Sequence, residues 1–528
     1  MQKPKSTNGN YTLRQLKLPL EIEKIIDVSD PVYTFCEVMD HIDLSKYFVA
    51  KGYKTGRPRC DQYKLLKIVL FAFMEHGFCS LREIEKLCKT DIRYIYLLDD
   101  MKPPSFVTFG NFIRQELIHS AEEIFLDINT YIFEKEQVDL NHTYIDGTKI
   151  QADANRYSWV WKKSCITNRQ KVFKHLSQLI DAMNDEVLKY LGIKFEKRDE
   201  YAIEYIEALV NTYKTVTKLD EASFVYGSGH RKTIQQRQYQ QLQTYLERLK
   251  KYAKHIEICG SKRNSYSKTD HDATFMRMKK DYMGNDQLLP AYNLQIAVCD
   301  EYVAAIDLKP YASDMECFIP LMEKFNKHYG HYPKYPVADA GYGSYNNYLY
   351  CEEHHMEKYM KFTMLKKETT DKRYHNNPFR AVNFKRNEKG NLICPNGKEF
   401  HYKYKKAVKN NHYGRTEEIY ECESCKGCPY KMECCPKATK NRTIHLNQEL
   451  TNFHEEVIKN LDTIQGALLK MNRSIQAEGT FGILKWNKSY TRLCRRGGEN
   501  AKLELTLIIS GFNLYKYHNK QQKKQKAA

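Results

Sequence analysis

What most constrains the fold of this chain is the order of its strand-forming and helix-forming stretches, once two long polar segments are set aside. HTYIDGTKIQA (142–152) is a β-rich run with Asp146 near its middle and Gly147 after it. YNLQIAVCD (292–300) and YVAAIDLKP (302–310) meet at Asp300 and Glu301, which reads as a hairpin. SDMECFIPLMEKFNKHYG (313–330) is an amphipathic helix, with Ser313 as its cap and Gly330 as its stop. YPVAD is a short strand ending at Asp339, AGYGS is a tight glycine turn, and a helix starts at Ser344. KYMKFTML (358–365) is a further strand, and helices resume near 450 and run to about 519.

The order β-β-β-α-β-α-β-α is the layout of an RNase H-like (retroviral-integrase-like) α/β core, expected over 136–365 and 451–519. In that architecture the first and fourth strands are neighbours and the last helix packs beside them. Asp146, Asp339 and Glu478 would then meet at one edge. Taken singly, each acid reads as a turn residue or a solvated helix acid. Taken together, on those elements and in that order, they read as a catalytic set. Three hard oxygen ligands suit Mg²⁺ or Mn²⁺ better than zinc. Two such ions can clamp the attacking and leaving oxygens of an in-line phosphoryl transfer. In RSIQAEGTFGILKW (473–486), Glu478 and Lys485 are seven residues apart, about two helical turns, so they share a face. The glutamate can hold metal while the lysine grips a phosphate of the strand being cut.

The remaining segments set the domain plan. Residues 1–135 are expected to form a helical N-terminal DNA-binding domain, polar at first with a short extended piece within 1–30. Its helices are YKLLKIVLFAFMEHG (63–77), a capping-box start at Ser80 and Glu83, TDIRYIYLLDD (90–100), and a helix from Thr108 to about Glu134. They resemble a helix-turn-helix module as much as an ordinary helical subdomain. A charged helical segment spans about 165–258 and reads as a long, partly exposed helical hairpin, an insertion and not part of the core. A Lys- and Tyr-rich, β-rich insertion spans 366–450, and 520–528 is a basic, disordered tail. Lys and Arg exceed Asp and Glu by 84 − 65 = 19, which favours a polyanionic partner. No apolar leader and no membrane-length apolar run is visible, so a cytoplasmic, nucleoid-associated protein is expected. Within 366–450, CESCKGCPYKMECC brings Cys422, Cys425, Cys428 and Cys434 into a C-x2-C-x2-C-x5-C spacing, with Cys435 next to them and Cys394 upstream. That spacing favours a structural zinc ion over a metal-free loop, with an iron–sulfur cluster the less favoured alternative. Such a site would staple an insertion that lacks a core of its own.

At this point the residues match a known family. YIDGTKIQADANRYSWVWKK, TDHDATFMRMK with QLLPAYNLQIAV, VADAGYGSYNNY, and RSIQAEGTFGILKW with its continuation to residue 516 resemble bacterial insertion-sequence transposases of the DDE class. More narrowly, they resemble the group with an InsH-type N-terminal domain and a split catalytic domain. The resemblance implies a triad of Asp146, Asp339 and Glu478, and contacts from Lys485 and Arg473 to transposon-end DNA. It implies metal-dependent strand cleavage and strand transfer on terminal inverted repeats and target DNA, by a homo-oligomer on DNA. The alternative is a silent transposase derivative acting as a repressor or architectural factor. One departure stands out. In the superfamily signature Tyr-x2-Arg-x3-Glu-x6-Lys, Met471 and Ser474 hold the tyrosine and arginine positions here. Arg473 is one residue early, about 140° around an α-helix from Glu478.

Overall fold

The computed structural model describes residues 25–48, 60–99, 101–226, 231–278, 284, 286–388, 390–409, 411, 413–487 and 490–527. Most of the polar segment expected to be extended, residues 1–24, lies outside them, as does Ala528. The described chain is a mixed α/β structure.

Its central sheet holds strands β1 (His142–Gln151), β2 (Leu288–Cys299), β3 (Tyr302–Lys309), β4 (Tyr335–Ala338) and β5 (Tyr359–Met360). The spatial order is β3-β2-β1-β4-β5, and the short strand Thr274–Arg277 adds to the start of β2. β1 pairs antiparallel with β2 from Tyr144↔Val298 to Gln151↔Ala291. On its other side it pairs in parallel with β4, from His142↔Tyr335 to Tyr144↔Val337. β2 and β3 form the expected hairpin, and Asp300 and Glu301 both take positive φ, 47° and 71°. That is the primed two-residue turn whose twist suits a hairpin. A glutamate gains nothing from such a φ, and two contacts hold it there. Its N–H donates to Gln476 Oε1 (2.8 Å), and its carboxylate accepts from Lys516 Nζ (2.8 Å).

The helix Gly498–Ala527 is buried on nearly all sides between Ala501 and Leu514. It packs against Gln62–His76, in which Leu65, Leu66 and every residue from Ile68 to Met74 are buried, and against Ile118–Glu136 and β3. A buried amide network fixes the register. Asn513 Nδ2 donates to Asn129 Oδ1 (2.7 Å) and to the Val303 carbonyl (2.9 Å), and Val303 N–H donates back to Asn513 Oδ1 (2.9 Å). Unpaired amides at these positions would be costly, so the network admits one alignment.

Several expectations need correction. Ser313 does not cap the next helix, which begins at Phe318 and stops at Gly330 as expected. Only Tyr359–Met360 of KYMKFTML is strand, because the chain leaves the sheet and turns into the helix Leu365–Thr370. The helix expected from Thr108 starts at Phe106, capped by Ser105. The basic end is helical to Ala527 rather than disordered. Lys524 and Gln521 both reach Glu136, and Lys520 donates to the Asp300 carbonyl (2.7 Å), so packing continues along it. The helices Lys162–Glu186, Ile203–Val216 and Ile234–Cys259 enclose an apolar core that includes Leu176, Ile180, Met183, Ile206, Tyr213 and Leu242. The β-rich insertion is an antiparallel meander from Lys385–Arg386 to Thr443–Leu446, with a small core of Phe384, Leu392, Phe400, Tyr420 and Ile444. The β-rich insertion, expected to lack a core of its own, therefore has one.

The closest helix crossing yields a test. A Cβ on Gly511 would stand 2.7 Å from both the Met74 nitrogen and the Phe73 carbonyl carbon, backbone atoms that cannot rotate away. Gly511→Ala is expected to part the two helices and lower stability by roughly 1–3 kcal/mol. Urea unfolding reads this directly, and an unchanged midpoint would show a looser crossing.

Candidate active site

Strand pairing alone brings two of the acids together. The parallel ladder ends at Tyr144↔Val337, and two residues further along each strand stand Asp146 and Asp339. Asp339 follows the last residue of β4, and its Oδ1 accepts the Gly341 N–H (2.8 Å) across the glycine turn. Asp146 Oδ1 accepts the Gly147 N–H (2.9 Å).

Glu478 arrives on a helix that runs from Ile464 and is interrupted by π turns at Ser474–Glu478 and Ile483–Asn487. Three contacts dock it on the sheet. Asn472 Nδ2 donates to the Tyr144 hydroxyl (3.2 Å), Gln476 takes the hairpin N–H described above, and Ala477 is fully buried. In a π turn the bond runs between residues five apart, so Arg473 and Glu478 are stacked rather than 140° apart. This corrects the sequence-based geometry. Arg473 Nη2 donates to Glu478 Oε1 (2.7 Å), and its Nη1 lies 3.6 Å from Asp146 Oδ2. The arginine side chain is 9% exposed, whereas Glu478 is 54% exposed. Arg473 Nε and Nη1 are buried without a hydrogen-bond partner. Lys485 Nζ donates to Thr148 Oγ1 and to the Lys149 carbonyl (3.1 Å), so it also faces β1, two to three residues beyond Asp146.

The electrostatics follow from crowding. Burial pushes the Asp146 carboxyl up from 3.8 to about 6; Arg473 and the Gly147 N–H oppose this, while Asp339 and Glu478 add to it. The Tyr342 hydroxyl is raised well above its ordinary value by burial, then by Asp314, Asp146 and Asp339.

Asp314 belongs to a polar network beneath the acids that sequence reasoning missed. Its Oδ1 accepts from Asn293 Nδ2 (2.6 Å) and Gln295 Nε2 (3.1 Å), and Gln295 Oε1 accepts from Tyr342. A Cβ at position 147 would stand 2.4 Å from Gln295 Nε2, which is why a glycine follows Asp146. The available signal was two amides, Asn293 and Gln295, in an otherwise apolar strand, and both are fully buried. Lys361 also borders the acids, with Lys470 near it, and the sequence reading passed over both.

The six cysteines of the insertion, Cys394, Cys422, Cys425, Cys428, Cys434 and Cys435, line one small cavity together with Arg442. All sixteen cysteines of the chain are unbridged. Arg442 Nη1 donates to Cys434 Sγ (2.7 Å) and its backbone N–H to Cys425 Sγ (3.3 Å). Burial first, and then Cys425 and Cys394, push the Cys422 thiol up to about 12.

Among the described residues, no three His, Cys, Asp or Glu side chains are gathered so as to hold a metal ion. At the triad, the Arg473 guanidinium lies against two of the three carboxylates and supplies the positive charge there. The donor chemistry itself, three carboxylates with Asp146 short of compensation, fits a hard divalent cation. Among the described residues no helix is long and apolar enough to cross a membrane.

Two family models match the chain, and both describe transposase domains. The one described as "Transposase DDE domain" covers residues 393–518, and the one described as "Transposase domain (DUF772)" covers residues 20–115. The first spans Glu478, Arg473, Lys485 and the cysteine cluster but stops short of Asp146 and Asp339. No curated protein and no solved structure matches. The two family matches indicate an insertion-sequence transposase of the DDE class.

The raised Asp146 value has a consequence for stability. Between pH 3.8 and 6 the folded chain holds a proton that the unfolded chain releases. The group's contribution is therefore full below pH 3.8 and is lost as pH rises through 6. Asp146→Asn should be more stable than the native chain at pH 7 by up to roughly 3 kcal/mol, with the gap closing towards pH 4. Thermal unfolding across pH checks this. A variant equally stable at both ends would mean that Asp146 is not electrostatically crowded.

Proposed function

We propose that the chain binds transposon-end DNA and carries out the cleavage and strand transfer of DNA transposition, on an RNase H-like core. The observation that carries this reading is the shared strand-end position of Asp146 and Asp339, with Glu478 brought beside them by the π turn. The strand order β3-β2-β1-β4-β5, antiparallel through β1 and parallel after it, supports the fold assignment. Asp146, Asp339 and Glu478 would hold Mg²⁺ or Mn²⁺, two ions in all. The chemistry those ions supply is neutralisation of charge on the attacking and leaving oxygens of a phosphoryl transfer.

The protein groups have separate tasks. Burial at the sheet's centre fixes the Asp146 carboxylate, and the glycine turn orients Asp339. Arg473 aligns Glu478 and lies against Asp146, and it would contact transposon-end DNA as the family resemblance implies. Lys485 lies along β1 where it can meet the strand being cut. The N-terminal helices between Gln62 and Leu98 would carry the end-recognition surface, and the net charge of +19 suits a polyanion. The chain would act as a homo-oligomer on paired ends. Because all three acids are retained and grouped, the silent-derivative reading is not favoured.

Asp146→Asn, Asp339→Asn and Glu478→Gln are each expected to reduce Mg²⁺-dependent nicking of end DNA by a factor of at least about 10³ while retaining binding in a gel shift. A variant that cuts at the native rate removes that residue from the set.

Cys422, Cys425, Cys428 and Cys434 are proposed as zinc ligands, supported by the convergence of their thiols on one cavity. Arg442, Cys394 and Cys435 complete its wall. Elemental analysis of chain purified without chelator should find about one zinc per chain, with Cys425→Ser losing it and destabilising the meander. Metal-free protein with an intact meander would refute this.

A further inference from the structure

Three cations stand at or near the acids with bonding capacity unused. The first is placed by the sheet. β4 and β5 pair in parallel at Val337↔Tyr359 and Ala338↔Met360, so the next residues, Asp339 and Lys361, are neighbours off adjacent strand ends. The Lys361 N–H continues that ladder to the Ala338 carbonyl (3.4 Å). Asp146, Asp339 and Lys361 thus form a row across β1, β4 and β5. The second and third cations are placed by the helix Ile464–Arg473, which packs on β1 and β4. Lys470 and Arg473 are three residues apart and share a face.

Each group is incompletely satisfied. Arg473 is more than nine-tenths buried, gives one nitrogen to Glu478, and has Nε and Nη1 unbonded. Among the described residues, Lys361 and Lys470 make no side-chain hydrogen bond or ion pair. Lys361 is half-buried, and its ammonium is held below the ordinary value by burial first, then by Arg473 and Lys470, with Asp339 and Glu478 opposing. Like charges gathered at a partly dry site are repulsive until an anion joins them. An anion with several oxygens would relieve that repulsion and bond the free ammonium groups.

We propose that Lys361 and Lys470 form a phosphate-binding subsite on the β5 side of the acids, which takes a backbone phosphate of the DNA strand adjacent to the bond being cut. The subsite rests on the transposase reading for the identity of its ligand, but not for its affinity for phosphate. Lys485 lies at the other end of the site, on β1 beyond Asp146, so the two would grip the strand on opposite sides of the scissile position.

The experiment has two arms, both on the full chain. In the first, thermal unfolding is followed with rising inorganic phosphate at constant ionic strength. The native protein should be stabilised, and Lys361→Ala/Lys470→Ala should lose most of that shift. Equal stabilisation of the two overturns the subsite. In the second, cleavage is measured on end DNA carrying a neutral methylphosphonate at single positions around the cut. The double variant should raise KM about tenfold with kcat within about threefold, and Lys361→Arg should recover part of the loss. One methylphosphonate position should cost the native enzyme a similar factor and the double variant nothing further. If every position costs both proteins alike, these lysines contact no phosphate. A native chain that is stabilised by phosphate yet cuts no DNA would sink the transposase reading and leave the anion subsite standing.

Discussion

The parallel pairing of β1 with β4 is the interaction on which the site depends. Three residue pairs, ending at Tyr144↔Val337, set where Asp146 and Asp339 emerge. Slipping a strand by one residue would turn its acid to the opposite face of the sheet. The pairing is short, and its register is enforced from outside. Val337 and Ala338 on one strand, and Tyr144 and Ile145 on the other, are consecutive buried residues, so both faces of the sheet are covered here and neighbouring contacts must hold the register. β2 then clamps β1 along eight residues, and the Asn513–Asn129 network ties β3 to the helices behind it.

Charge balance at the site is achieved by proximity rather than by exposure. Three carboxylates crowd the end of the sheet, and the protein answers with a buried arginine between two of them. Arg473 reaches that position because the helix adds a residue to its turn at Ser474–Glu478. π turns of this kind sit disproportionately at functional sites, since the widened turn re-aims the side chains on either side of it. The polar layer beneath, from Asp314 through Gln295 to Tyr342, is satisfied within itself and holds the glycine turn against β1.

Both insertions carry apolar cores of their own, which for residues 366–450 corrects the expectation. High polarity along Ile234–Cys259 reflects two wet faces; the third face buries Tyr239, Leu242, Tyr245 and Leu249 against the partner helices. In the meander, Cys422 and Cys425 are themselves part of the apolar cluster, so thiols that could bind metal also serve as small hydrophobes.

The sequence by itself determined the elements whose signals are local. β-rich runs marked β1, β2 and β3, Gly330 and Ser344 marked a helix stop and start, and the elements that carry Asp146, Asp339 and Glu478 were legible in chain order. Cap and turn chemistry is written within a few residues, so it can be read without the fold. Tertiary structure alone decided what depends on packing between distant segments. KYMKFTML leaves the sheet after two residues, Asp314 joins the floor of the site, the basic end stays helical against Glu136, and Lys361 comes level with Asp339. Arg473 is the sharpest case. Counted along an α-helix it points away from Glu478. It reaches the acid only because docking of Asn472, Gln476 and Ala477 on the sheet accompanies a wider turn, which no local spacing rule could supply.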